Sequence, residues 1–431
     1  MTQPDIAQDD LPRLGMLTPF LTGVSNGSRV KEITTVRSDI QPNVLHVLVT
    51  DTDGFTGLGE TFYGAGVVEA HIHQVIAPSL RLDQPTADPL DVKRVATGYV
   101  GYSGSGAEVR ALSAIDIALW DIAAKKNNQP LRNVLRPDAP SILPVYNTCS
   151  GANYVNSESR QSSSNWGIGK TSPAPGTFED LWGFLNRPGE LAQELIAEGY
   201  RGMKVWPFDV AAEVARGGPD IDLSFGLGIL DAIRETVGDG IELYVEMHSL
   251  LGLDAAIRLA SELQRYNLTW FEDPIRGDSV KELTILKEST GVPIAVGENI
   301  GAGKNGYRPL IENRAVDTVI CDLGWCGGIT EALNLIAETH EANLRIAYHD
   351  CTGPVSLAVA GEMAAASPHC DVQEVARAFW HTWYPVMAEG VPGIRDGQLW
   401  LNGRPGHGVT LSEDFFQREG TVTLTSVIAS R

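Results

Sequence analysis

Three stretches decide the fold: IELYVE (residues 241–246), LTWFE (268–272) and VPIAVGE (292–298). Each is a short run rich in β-branched and aromatic residues that closes on a glutamate, and Glu246, Glu272 and Glu298 follow one another at intervals of 26 residues. Between them, LDAAIRLASELQRY and SVKELTILKEST carry apolar residues at helical spacing. One strand and one amphipathic helix per interval make a βα unit. The same beat continues toward the C-terminus, where TVICD, RIAYH and DVQE end on Asp322, His349 and Glu374 at spacings of 24, 27 and 25 residues. Toward the N-terminus, GMKVW (202–206) and ILPVYN (142–147) bring the count to eight units. Eight alternating units predict a (β/α) TIM-type barrel. A doubly wound open sheet alternates in the same way and is the competing architecture.

The flanks read differently. VKEITTVRSD and NVLHVLVTDTDG alternate like an antiparallel hairpin, and EVRALSAIDIALWDIAAKKNNQP reads as a helix ending in a basic turn. The expected layout is an extension over 1–28, an α+β module over 29–140, a barrel over 141–390, and a segment over 391–431 that returns to the N-terminal module through GQLWLNG and GVTLSE. The stretch 152–187, with YVNSESRQSSSNWGIGKTSPAPG inside it, is too long and polar for an ordinary βα loop. It follows the first barrel strand on the face where barrel active sites form, which makes it a candidate lid or partner contact.

Composition narrows the function classes. The chain has 431 residues, 43% hydrophobic and 20% charged, with a net charge of -21. Such a charge argues against nucleic acid and anionic membrane surfaces as partners. Five scattered cysteines without paired short spacings fit neither a disulfide frame nor a zinc site. The N-terminal stretch MTQPDIAQDDLPRLG lacks the apolar core of a signal peptide, and no run reaches the roughly 18 apolar residues of a membrane span. A cytoplasmic protein is expected.

Placed at the ends of barrel strands, the six polar residues converge on one rim. Three neighbouring carboxylates raise one another's pKa and cannot all be ionised without a cation. Glu246, Glu272 and Glu298 therefore predict a hard divalent metal held by oxygens, most simply Mg²⁺. His349, one strand beyond Asp322, predicts a dyad in which the carboxylate orients the ring and raises its basicity. With Lys204 on GMKVW, the set suits removal of the weakly acidic proton beside a carboxylate, because the cations stabilise the doubly charged intermediate. Trp206, two residues on, faces the same way as Lys204 and is either a packing residue or part of the reaction site.

In ALSAIDIALWDIAAKK, GYRGMKVW, YVEMH, WFEDP, VGEN, CDLGWCGGITEA, AYHD and GRPGHGV, over residues 30 to 415, the chain resembles the enolase superfamily and its mandelate racemase-like sugar-acid subgroup. The resemblance implies a TIM-type barrel under an α+β capping domain, with loops at 38–43 and 62–67 helping to choose the substrate. It implies Glu246, Glu272 and Glu298 as metal ligands, Asp322 and His349 as the dyad, and Glu374 as a hydrogen-bonding group on the eighth strand. A homo-oligomer is implied as well. Where racemases of the subgroup carry a second lysine on the second strand, this chain has Trp206. His248, two residues past Glu246, is either a helix cap or, as in sugar-acid dehydratases, the acid that protonates a departing 3-hydroxyl.

These readings lead to a Mg²⁺-dependent hydro-lyase acting on an aldonate-like acid sugar, forming a 2-keto-3-deoxy acid. Lys204, Trp206, Asn147 and His381 are the candidate substrate contacts. The aromatic cluster around His381 and Trp383 in FWHTWYP is equally readable as a packed subunit contact. An isomerase of the same superfamily, either a cycloisomerase or an epimerase, is the nearest alternative. A catalytically silent binding barrel is the third.

Overall fold

The computed structural model describes residues 27–97, 104–169, 171–174, 177–301 and 306–428. Most of the extension expected over 1–28 lies outside these. Strands β4 (Ile142–Thr148), β5 (Gly202–Val205), β6 (Glu242–Glu246), β7 (Trp270–Glu272), β8 (Ile294–Val296), β9 (Thr318–Cys321) and β10 (Arg345–Tyr348) pair in sequence order, each parallel to the next. The eighth strand, β11 (Gln373–Val375), pairs parallel with β4. Against β10 it is fastened by side chains: Gln373 Nε2 donates to the Tyr348 carbonyl at 3.1 Å, and the Asp350 amide donates to Glu374 Oε2 at 3.0 Å. The architecture is a TIM-type barrel, not an open doubly wound sheet.

Strand alternation builds the barrel in storeys. Tyr146, Tyr244, Trp270, Ala295, Ile320, Ala347 and Val372 point inward and form a separate apolar floor. Tyr146 stacks on Tyr244 at 4.4 Å, and Trp270 meets both rings edge-on. Two residues further along a strand the side chain again faces inward, one storey up. From that floor the step of two reaches Glu246, Glu272, Asp322, His349 and Glu374, which is why these five appear in phase in the sequence. Gly202 leaves room for the floor, since a Cβ there would lie 2.4 Å from the Tyr244 ring.

Over the barrel sits an antiparallel sheet of β1 (Val30–Arg37), β2 (Val44–Asp51) and β3 (Thr56–Phe62), with Val422–Val427 paired to β1. The segment over 391–431 therefore divides. Gln398–Trp400, expected to return to the N-terminal module, pairs instead antiparallel with the start of barrel strand β4, burying Leu399. Val422–Val427 and the buried His407, whose Nε2 lies 2.8 Å from the Leu58 carbonyl, reach the cap.

The cap is joined to the barrel through helix ends. The long helix Ala107–Lys126 lies directly on β3, where Gly57 and Gly59 permit backbone contact. Its Asp116 accepts the Thr330 amide at 3.0 Å, at the first turn of the barrel helix Ile329–Glu341. Glu60 of β3 accepts the Ser356 amide at 2.9 Å and the Val355 amide at 3.3 Å, at the start of the helix Pro354–Ala366. Both carboxylates satisfy N–H groups that no intrahelical carbonyl can reach. Among the described residues, no helix is long and apolar enough to cross a membrane.

Gly59→Ala tests the closeness of this packing. Its Cβ would fall 1.8 Å from the Ala114 carbonyl oxygen, so the helix must lift off the sheet. The expected loss is about 1–3 kcal/mol, read as a lower thermal midpoint by calorimetry. An unchanged midpoint would show that the helix yields freely.

Candidate active site

Glu246 and Glu272 stand opposite each other in register on β6 and β7, and Glu298 follows β8. All three are buried, and one carboxylate oxygen from each lies within 4.8 Å of the others. Lys204 on β5 threads its ammonium between them. It is 2.6 Å from Glu272 Oε1, 2.8 Å from Glu374 Oε1 and 3.5 Å from Glu246 Oε2. The floor and the backbone hold the other oxygens of Glu272 and Glu246. Trp270 Nε1 donates to Glu272 Oε2 at 2.7 Å, and the amides of Met247 and His248 donate to Glu246 Oε1 at 3.0 and 2.7 Å.

One ammonium among four carboxylates leaves the cluster anionic. Burial and the neighbouring Glu246 hold the Glu272 carboxyl well above the usual carboxylate range, against the pull of Lys204. Asp273, buried behind the cluster, is raised for the same reasons: desolvation first, then Glu298, Glu246 and Glu272. For Glu374 the balance reverses, because Lys204 and His349 outweigh burial and keep it ionised. Three converging carboxylates, oxygen donors only and short of positive charge, fit a hard divalent cation.

His349 Nδ1 lies 2.7 Å from Asp322 Oδ2, and Asp322 Oδ1 accepts the Gly324 amide at 2.7 Å. The other ring nitrogen, Nε2, faces Glu298 at 3.4 Å. Burial lowers the His349 pKa, but Glu298, Asp322 and Glu374 together carry it well above its ordinary value. Trp325 packs beside the ring at 5.1 Å and bears the Arg110 guanidinium on its face at 4.5 Å.

Across the barrel, His248 Nδ1 lies 2.6 Å from Asp209 Oδ2. Burial opposes its protonation, yet Asp209 and then Glu246 lift its pKa to about 10. Trp206, buried, turns its ring edge-to-face toward His248 at 5.8 Å and is wedged by Tyr154 and Phe184. It is a wall of the pocket, which Lys204, His248, Glu298, His349, Cys351, Tyr63 and Tyr154 also line.

Two of the expected substrate contacts stand elsewhere. Tyr146 faces the barrel interior, so Asn147 points outward, where it donates to Asp180 Oδ2 at 2.8 Å and accepts the Arg377 amide at 3.0 Å. His381 is exposed and stacks on Phe178 at 3.8 Å, away from the pocket. Trp383 is buried against Phe379 and Tyr384. The loop 38–43 does not line the pocket either. Gln41 and Asn43 instead bind the 152–187 stretch, with Asn43 Nδ2 donating to the Val155 carbonyl at 2.7 Å and the Glu158 carbonyl at 3.1 Å. That stretch brings Tyr154 and Gln161 to the pocket, while loop 62–67 brings Tyr63.

Sequence reasoning passed over Asp209, Tyr63, Tyr154, Gln161 and Trp325. Asp209 lies in the same GMKVWPFD run as Lys204 and Trp206, but it opens the next helix and has no strand phase to mark it.

Comparison with known proteins identifies the family of both domains. Residues 27–135 match the N-terminal domain of the mandelate racemase / muconate lactonizing enzyme family, and residues 188–415 match the enolase C-terminal domain-like family. A crystal structure of an enolase of the mandelate racemase subgroup from Agrobacterium tumefaciens superposes with a TM-score of 0.78 at 33% identity, covering 93% of this chain and 99% of that one. A D-galactonate dehydratase family member from Catenulispora acidiphila is 28% identical over 421 residues, covering 90% of this chain and 86% of that protein. The D-xylonate dehydratase of Haloferax volcanii is 28% identical over 410 residues, covering 91% and 90%. With both domains matched and the strand-end residues gathered at one rim, the chain belongs to the enolase superfamily, in its mandelate racemase subgroup.

Proposed function

We propose that this protein is a Mg²⁺-dependent dehydratase of an aldonate-like acid sugar. The observation that carries the reading is the placement of two histidines four strands apart, each paired with a carboxylate: His349 with Asp322 beyond β10, His248 with Asp209 beyond β6. Anti elimination of a C2 proton and a C3 hydroxyl uses a base and an acid on opposite sides of the carbon chain, and such a pair of histidines is suited to that division. The names of the relatives, a D-galactonate dehydratase family member and a D-xylonate dehydratase, support the substrate class.

Glu246, Glu272 and Glu298 would hold the Mg²⁺, which when bound supplies Lewis-acid stabilisation to the substrate carboxylate. Lys204 adds a fixed positive charge beside that carboxylate. His349, oriented by Asp322, takes the C2 proton. The electron pair left on C2 forms the C2–C3 double bond as the C3–O bond breaks. The departing oxygen leaves with its pair, takes a proton from His248 and is released as water, and the enol becomes the 2-keto-3-deoxy acid. Trp206 offers no second base on the face opposite His349, which disfavours two-base racemisation. Glu374 holds Lys204 and the Asp350 amide in place. An isomerase using the same residues gives a product of unchanged mass, so mass spectrometry separates the two; dehydration yields a product lighter by one water.

Two substitutions divide the steps. His349→Asn is expected to abolish exchange of the C2 hydrogen in D₂O. His248→Asn is expected to keep that exchange while lowering dehydration by about 10²–10⁴-fold. Exchange that survives in His349→Asn would remove it as the base.

The metal assignment has its own readout. Because Glu272 and Asp273 are raised in the metal-free protein, protons compete with the cation at a pH above the ordinary carboxylate range. Mg²⁺ affinity should therefore rise with pH through that raised range and then level, as titration calorimetry would show. A hundredfold excess over Kd should stabilise the fold by about 2.7 kcal/mol in thermal scans. Affinity that stays flat down into the ordinary carboxylate range would count against these ligands.

A further inference from the structure

We propose that Asp209 is a positioning residue for the elimination step, acting through His248; this rests on the dehydratase reading above. The geometry is specific. Asp209 is only 4% exposed and places Oδ2 at 2.6 Å from His248 Nδ1. Its other oxygen, Oδ1, has no hydrogen-bond partner among the described residues, so the carboxylate's one directional contact is with the ring. A buried carboxylate at that distance accepts the Nδ1 proton and turns the opposite ring edge, whose Nε2 can present a second proton, toward the pocket.

The backbone supports the same ring pose. His248 and Ser249 adopt φ of +47° and +61°, a left-handed conformation that non-glycine residues rarely take. It is held open by the amides of Met247 and His248, both bonded to Glu246 Oε1. Such strain persists where surrounding contacts over-determine it, and it concentrates at functional sites. The Trp206 ring closes one side of the imidazole. His248 and Gln161 are shared by the inner pocket and by the wider groove outside it. The imidazole therefore stands where a departing hydroxyl would pass toward solvent. An aspartate that merely stabilised its own helix start would not need to reach this ring.

The test compares Asp209→Asn and Asp209→Ala with wild type and with His248→Asn, using Mg²⁺-loaded protein and an aldonate panel in D₂O. Both Asp209 variants should lose about 10–100-fold in dehydration turnover while C2 exchange, KM and Mg²⁺ affinity stay within about twofold. Adding Asp209→Ala to His248→Asn should cost nothing further, since both act through one group. A parallel fall in exchange and dehydration, wild-type dehydration in both variants, or an additive loss in the double variant would each overturn the proposal. Crystal structures of the proteins provide a readout without substrate: the His248 ring is expected to keep its pose in wild type and to turn or lose order in Asp209→Ala. An unmoved ring in Asp209→Ala overturns the proposal even if no aldonate is turned over, whereas absent turnover in wild type with the expected ring movement overturns only the dehydratase reading.

Discussion

The arrangement depends on one electrostatic constraint. Four carboxylates, Glu246, Glu272, Glu298 and Glu374, are buried at the mouth of a barrel around the single ammonium of Lys204. Buried like charges are tolerated only where hydrogen bonds and opposite charge meet each oxygen. Much of the neighbouring structure does this: Trp270 rises from the floor to Glu272, the turn after β6 bends backward to Glu246, Lys204 reaches Glu246, Glu272 and Glu374, and Asn299 and His349 meet Glu298. The cluster still lacks positive charge, and that shortfall makes a cation site of it. The same field reaches both histidines and favours their protonated forms, so a bound divalent ion would tune the base and the acid as well as the substrate.

How much of this was legible depends on whether a residue shares the strand rhythm. Glu246, Glu272, Asp322, His349 and Glu374 all stand two residues past an inward-facing floor residue, and a one-dimensional periodicity records that relation directly. Asp209 has no such phase. It meets His248 only because the helix after β5 begins beside the turn after β6, a proximity of two loops that the sequence separates by 39 residues. Tyr154 depends on the path of a long irregular stretch, which local propensity does not specify. Asn147 shows the same rhythm misapplied: a polar residue at a strand end looked functional, but the inward step belongs to Tyr146. His381 belongs to the same aromatic run, but it stacks on Phe178 and meets Trp380 edge-on at the surface, while Phe379, Trp383 and Tyr384 pack together.

The cap does more than roof the barrel. Asp116 and Glu60 terminate the barrel helices that follow β9 and β10, the strands that lead into Asp322 and His349. The turns carrying the dyad are therefore bounded below by the barrel sheet and above by cap carboxylates. The 152–187 stretch is held in a similar way, by Asn43 from the cap and by Glu213 from the barrel, which accepts the Ser163 amide at 3.0 Å. A pocket wall supplied by two modules can be reshaped by changes in loop sequence without disturbing the carboxylate cluster, which separates the choice of substrate from the chemistry.

The pairing of Val422–Val427 with β1 ties the beginning of the described chain to its end. During synthesis β1 emerges first and its partner strand emerges only after every barrel unit has left the ribosome. Until then one edge of β1 presents open hydrogen-bonding groups, and the sheet cannot be completed. The barrel helices that rely on Asp116 and Glu60 face the same delay if the cap docks late. The nascent chain thus carries a bare strand edge that the finished protein covers with Val422–Val427.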